Sequence, residues 1–215
     1  MVAKVRTDQQ TAQQVLERSQ KSAREIDGAV VNFTVTPEKM IRAYGLSAVT
    51  YFPHQPAPER TDARTVEFLA TVGLPESECF VARIDIKDPY EPTLDAITIG
   101  TRFDYHELDC PDESRNWWSL GYLFTSLMAV DPVSGKVYAF PEGADIYIET
   151  HRDIESFAFA LIELRKVEEA HENGEDPETP AAHFRMVVEE FDPTPFADDE
   201  SQWILSMEEL QHGIW

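Results

Sequence analysis

The residues best placed for chemistry lie in one stretch, FDYHELDCPDESRNWW, residues 103–118. Asp104, His106, Glu107, Asp109 and Cys110 are all types that ligate zinc, and His106 and Cys110 would share a face if the segment were helical. Its pattern does not read as a helix, and a second ligand pair is missing. The stretch fits better as an exposed loop of five carboxylates, Asp104, Glu107, Asp109, Asp112 and Glu113, opposed only by Arg115. Phe103, Tyr105 and Trp117 flank it. Aromatic anchors within a field of one sign suit a protein-binding surface, and on that reading Asp104, Tyr105, Glu107, Asp109, Asp112, Glu113 and Trp117 meet the partner. The same pattern also fits ordinary core aromatics beside a solvated acidic loop, and the residues alone leave both readings open.

Elsewhere the catalytic signatures are missing. The chain has no GxxxxGK[ST], GxGxxG, GxSxG or HExxH, and its nine glycines leave little room for a phosphate cradle. Nor does it have the H-x-E and P-C-x-x-C pair of zinc deaminases, since Cys110 precedes its proline. His54, His151, His171, His183 and His212 are scattered without ligand spacing. Glu168–Glu169 and Glu189–Glu190 are adjacent pairs whose side chains point apart on a helix, so they read as solvated faces rather than acid and base. No catalytic residue, metal or cofactor is predicted.

Charge narrows the choice of partner. Residues 1–64 carry 9 Lys and Arg against 7 Asp and Glu, and residues 65–215 carry 9 against 33, which together give the net −22. Binding nucleic-acid phosphate draws on clustered cations, so this excludes it as a direct ligand and favours a basic protein partner. Bare solubility explains an acidic chain equally well. Apolar residues at 42% are too many for a disordered chain, and no run approaches the roughly 18 residues of a membrane span. The N-terminal segment lacks the apolar core of a secretory signal, and two cysteines without a CxxC fit a reducing cytoplasm.

The elements that must position residues 103–118 follow from periodicity and punctuation. Residues 8–27 read as a peripheral helix stopped by Gly28. A short helix opens at Thr36-Pro37-Glu38 and ends at Gly45, and residues 51–63, with three prolines, read as a loop. TDARTVEFLATVGLP, residues 61–75, predicts a helix capped by Asp62, with Thr65, Phe68, Leu69 and Val72 inward and Gly73 as its left-handed exit. Strands are expected at 79–86, 95–100, 117–124, 127–130, 136–140 and 145–149. Between two of them, Asp131-Pro132-Val133-Ser134-Gly135 spells a type I turn closed by a left-handed glycine. Thr150 and Asp153 read as a capping box opening a long helix with Ile154, Phe157, Ala158, Leu161, Ile162 and Leu164 on one face. An acidic breaker loop is expected over 168–180. Helices at 181–191 and 201–211 follow, anchored by Met186, Val187, Phe191, Phe196, Trp203, Ile204 and Leu210.

Helices, then antiparallel strands, then helices predict an α+β fold with a mostly antiparallel sheet, arranged as a helical arm over 1–33 and one domain over 34–215. The succession FLATVGLP (68–75), SLG (119–121), LMAVDPVSGKVYAFPEG (127–143), IYIET (146–150), IESFAFALIEL (154–164) and EFDPTPFADDESQWILSMEELQ (190–211) resembles the SUKH superfamily, the Smi/Knr-like proteins, most closely its fourth subgroup. The resemblance covers about residues 34–211 and implies a cytoplasmic, non-catalytic immunity protein that binds and neutralises a polymorphic toxin domain. A nuclease or deaminase toxin with a basic surface would complement the charge. A regulatory adaptor on the same scaffold, binding a cellular protein, is the alternative, and a small metal enzyme using residues 104–110 is a third.

Overall fold

In the computed structural model of the chain, the described residues are 32–52, 61–82, 98–141 and 146–214. The chain divides into two units, Met1–Thr34 and Val35–Trp215, and the architecture that follows belongs to the second. The expected helix over 8–27, the proline-rich residues 53–60 and strand residues 83–86 lie outside the described residues.

Thr36 caps α1, Pro37–Tyr44, with its hydroxyl accepting from Lys39 N–H, and Pro37 fills the first helical position, where no amide donor is needed. Asp62 caps α2, Ala63–Thr71, by accepting from the Thr65 amide at 2.9 Å, and the amide of Gly73 closes the far end on Phe68 C=O at 3.1 Å. Thr65, Phe68, Leu69 and Val72 are buried as their spacing requires. Two short strands, β1 (Val49–Thr50) and β2 (Leu74–Pro75), pair antiparallel beside them.

The main sheet has five antiparallel strands in the order β3-β4-β5-β6-β7: Phe80–Ala82, Trp118–Leu123, Ser126–Val130, Val137–Phe140 and Ile148–His151. Between β5 and β6 the turn forms as its residues dictate. Gly135 sits at φ 77°, its amide donates to Asp131 C=O at 2.9 Å, and the Asp131 carboxylate accepts from Val133 N–H and Ser134 O–H. Pro132 C=O also accepts from the Asp62 amide at 2.7 Å, which ties the turn to the start of α2.

Direct pairs share a face of a sheet, so the register sorts the strands into two surfaces. Phe80 pairs with Leu123, Met128 with Ala139, Val130 with Val137 and Ala139 with Ile148 on one side. Over that side lies α4, Ile154–Glu172, with Phe157 edge-on to Phe80 at 5.3 Å. Helices α5 (Glu178–Phe191) and α6 (Gln202–Gln211) complete this layer, with Trp203 fully buried against Phe157 and Phe184. Val81 pairs with Tyr122, Tyr122 with Leu127, Leu127 with Phe140 and Ala129 with Tyr138 on the other side.

Several local expectations are corrected. Of the strand expected over 95–100, residues 95–97 lie outside the described residues and the rest is not strand: Thr98 makes a single bridge to Trp118 and caps a helix, α3, Ile99–Tyr105. Thr150 is a strand residue whose hydroxyl donates to Val137 C=O, and Asp153 is the actual cap of α4, accepting from Ser156 N–H at 2.8 Å. The acidic stretch 168–172 is helical rather than loop, because Glu168 is buried and held by Ser77 O–H at 2.7 Å and by Arg165 at 3.0 Å. Met186 is exposed and anchors nothing.

Candidate protein-interaction surface

The predicted residues converge on a lobe mounted over the second face of the sheet. Two backbone bonds close its base, Ile99 N–H to Trp117 C=O and Gly100 N–H to Arg115 C=O, both at 2.9 Å. Ile99 and Trp117 plug it into a cluster with Leu127, Ala129 and Phe140, and Phe103 meets Phe140 edge-on at 5.5 Å. Trp117 itself is 7% exposed and stacks on Tyr138 at 4.1 Å. It therefore supports the lobe from inside. The aromatic that faces outward is Tyr105, 80% exposed, with Leu108 at 58% nearby.

Local bonds fix the outer segment. His106 N–H donates to Arg102 C=O and Leu108 N–H to Phe103 C=O, while Glu107 between them takes φ 57°, a region that costs a non-glycine residue free energy. Two of the five carboxylates are tethered. Asp104 accepts from Arg115 at 2.6 Å, and Glu113 accepts from the hydroxyl of Tyr147 at 2.9 Å. The backbone amide of Glu113 and then that hydroxyl hold its carboxyl below the ordinary range. The carboxylates of Glu107, Asp109 and Asp112 are exposed and bond no other described residue. Beneath the lobe, Arg102 is buried, donates to Tyr122 O–H at 2.9 Å and lies 5.1 Å over its ring.

A second constellation lies on the opposite face, and the scattered histidines of the sequence gave no sign of it. His151, Ser156 and Asp192 are fully or almost fully buried together. Trp203 Nε1–H donates to His151 Nε2 at 2.9 Å, so the ring proton sits on Nδ1 and donates to Ser156 Oγ at 2.9 Å. Ser156 O–H in turn donates to Asp192, whose other oxygen accepts from Thr194 N–H and O–H. Burial drives the histidine well below its ordinary pKa. Burial also pushes Asp192 up, but bonds from Ser156, the Arg152 amide and Thr194 outweigh it and hold the carboxyl low.

The three residue types match a catalytic triad, but their arrangement does not. Both imidazole nitrogens are occupied, and Asp192 orients the serine rather than the histidine, from which it stands 3.9 Å away. No nitrogen is left to take a proton from the serine. The network joins β7, α4, the C-terminal end of α5 and α6, and its work is structural.

Among the described residues no group of three or more His, Cys, Asp and Glu could hold a metal ion. No described helix is long and apolar enough to cross a membrane. No curated protein and no solved structure gives a match to the chain. The family model described as "SUKH-4 immunity protein" does match, over residues 35–209. That span holds the five-stranded sheet, the lobe and the helices that cover the opposite face, and the chain belongs to the SUKH-4 immunity protein family.

Proposed function

We propose that the chain neutralises a cognate toxin domain by docking its acidic lobe on a basic surface of that domain. The observation that carries this reading is the lobe itself: three exposed carboxylates, Glu107, Asp109 and Asp112, with no hydrogen bond to another described residue, share with exposed Tyr105 and Leu108 a segment pinned to the sheet. An aromatic anchor within one sign of charge supplies both docking energy and long-range steering. A toxin acting on nucleic acid needs Lys and Arg to hold phosphate, and an acidic partner can occupy that surface. The domain boundary near residue 34 and an arm over 1–33 belong to the same reading. Members of such immunity families are generally non-catalytic, and no catalytic step is assigned.

The test is recovery of the partner with tagged full-length chain, identification by mass spectrometry, and expression of the recovered toxin domain with and without the chain in cells. Rescue from toxicity is the expected result. In purified components, the triple variant Glu107→Lys, Asp109→Lys, Asp112→Lys should slow association about tenfold or more at low salt and flatten its salt dependence. Equal association rates at low and high salt would move the interface elsewhere.

A further inference from the structure

The lobe meets the open face of the sheet at an aromatic corner. Tyr138 on β6 lies on Trp117, with ring centroids 4.1 Å apart and planes 19° apart. Tyr147, one residue before β7, stands edge-on to both, 4.8 Å from Trp117 and 5.4 Å from Tyr138, its plane 84° from that of Tyr138. Trp117 is buried, while both tyrosines are half-exposed. The charged groups that act on the two phenols are Glu113 at Tyr147, and Glu149, Lys136 and Asp131 at Tyr138. Glu149 is the direct cross-strand partner of Tyr138, so it stands on the same face. Lys136 answers Glu149 at 2.8 Å. Among the described residues no cation pairs with Glu113 or Asp131: the first accepts from the Tyr147 hydroxyl, the second from the Val133 amide and the Ser134 hydroxyl. Three carboxylates against one ammonium leave two negative charges around the corner, three minus one.

The same face already shows how it holds a cation. Tyr122, its third half-exposed tyrosine, carries the Arg102 guanidinium 5.1 Å from its ring centroid, and that guanidinium donates to the Tyr122 hydroxyl at 2.9 Å. Among the described residues no cation lies over the ring of Tyr138 or Tyr147. We infer that the Tyr138–Tyr147 corner receives an arginine side chain from the basic surface of the partner, its guanidinium flat on a half-exposed ring and donating to Glu113. The inference rests on the toxin-docking reading and names the side chain that the partner must present. A bare field of carboxylates accepts lysine and arginine alike. A tyrosine ring discriminates, because the planar, weakly hydrated guanidinium stacks on it while an ammonium holds its water. The Glu113 carboxylate matches the guanidinium fork, and its bond to Tyr147 places it beside the ring. An anion is repelled from this corner, and an apolar side chain would strip water from carboxylates that it cannot bond.

The test is an NMR titration of the full-length chain, labelled with 13C in its tyrosine rings, with acetyl-Arg-Gly-Arg-Gly-Arg-amide. Acetyl-Lys-Gly-Lys-Gly-Lys-amide, of equal charge, is the control. The arginine peptide should shift the Tyr138 and Tyr147 rings saturably and bind about threefold tighter than the lysine peptide. Tyr147→Leu should weaken the arginine peptide about threefold, to the level of the lysine one. Tyr147→Phe keeps the ring without the hydroxyl and should hold most of the wild-type affinity. No saturable ring shift, equal affinity for the two peptides, or full affinity in Tyr147→Leu overturns the inference. A loss in Tyr147→Phe as large as in Tyr147→Leu overturns it in favour of the hydroxyl tether. Ring shifts that grow with chain concentration alone overturn it in favour of a second copy. Ring shifts in a chain that rescues no cell from a toxin keep the arginine corner and remove the toxin, whereas rescue without ring shifts keeps the toxin and removes the corner.

Discussion

The two faces of the five-stranded sheet are made from alternate residues of the same strands, yet they are finished in different ways. On one face Phe80, Phe157, Phe184 and Trp203 are sealed at 0–1% exposure under α4, α5 and α6, and His151, Ser156, Asp192 and Trp203 are joined there by a chain of hydrogen bonds. On the other, Trp117, Phe103 and Phe140 form a smaller cluster whose tyrosines, Tyr122, Tyr138 and Tyr147, remain half-exposed. Sealing a face under helices removes apolar area from water and stabilises the fold. Leaving phenols and carboxylates at the rim of an aromatic plug gives a stiff surface that can still bind. The helix-covered side holds the larger sealed core, and the open side carries the lobe to which we assign toxin docking, so the proposed binding residues stand apart from the side chains that are most deeply buried.

The comparison breaks if the two buried tryptophans prove equally costly to remove. Trp203→Ala should lose about 3–5 kcal/mol from the cavity. It also leaves His151 Nε2 buried without its donor, worth about 1–3 kcal/mol more. Trp117→Ala should lose about 3 kcal/mol, the low end, because Tyr138 and Tyr147 lie at the surface and can close over the gap. Urea denaturation of both variants at constant m-value reads the difference. A Trp117 loss matching that of Trp203 would make the lobe face a second core rather than a platform.

Acid should act on the sealed face next. The folded pKa of His151 lies below its unfolded value near 6.5, at about 3, so between these limits the unfolded chain binds the extra proton. Stability is then full above roughly pH 6.5 and falls as the pH drops through that window, by about 2–3 kcal/mol at pH 4.5 at 1.36 kcal/mol per unit. Asp192, held low in the folded state, adds its own loss once the pH falls below its ordinary carboxylate value. His151→Asn should start less stable at pH 7.5 and lose less on acidification. Equal slopes for variant and wild type would show that the histidine is not the proton acceptor.

Much of this was legible because it is local. The β5–β6 turn, the Asp62 cap and the Gly73 exit each lie within a few residues, where backbone chemistry decides the outcome. The family resemblance rested on the order of such pieces. What failed was decided by distant partners. Ile99 lies in a stretch with a strand's composition, but among the described residues the stretch reaches the sheet through one bridge, Thr98 to Trp118, and Thr98 then caps α3. Glu168 looks solvated until Ser77, 91 residues away, meets it. The partners of His151 stand 5 and 52 residues off, so no spacing rule could have joined them. Trp117 carried the right residue type for an anchor, yet its ring belongs to the plug, and only packing shows that Tyr105 is the exposed one.

The smallest effect sharpens the comparison most, since it asks whether the lobe is held to the sheet at all. Tyr147→Phe removes one hydroxyl at an exposed position and should leave the urea midpoint unchanged. It should still raise the Glu113 titration midpoint, followed by its side-chain carboxyl carbon in NMR, because the hydroxyl that favours the ionised form is gone. The rise should be partial, as the Glu113 backbone amide is the larger of the two influences and stays in place. An unshifted Glu113 would mean that this tether does not form in solution, and the acidic lobe would then rest on its base and on the packing of Ile99, Phe103 and Trp117. A shift confined to Glu113 would mean that a residue 34 positions away fixes the edge of the surface we assign to docking, with no contribution to global stability. Removing the tether would then loosen recognition without loosening the fold, which is the separation the two faces of the sheet imply.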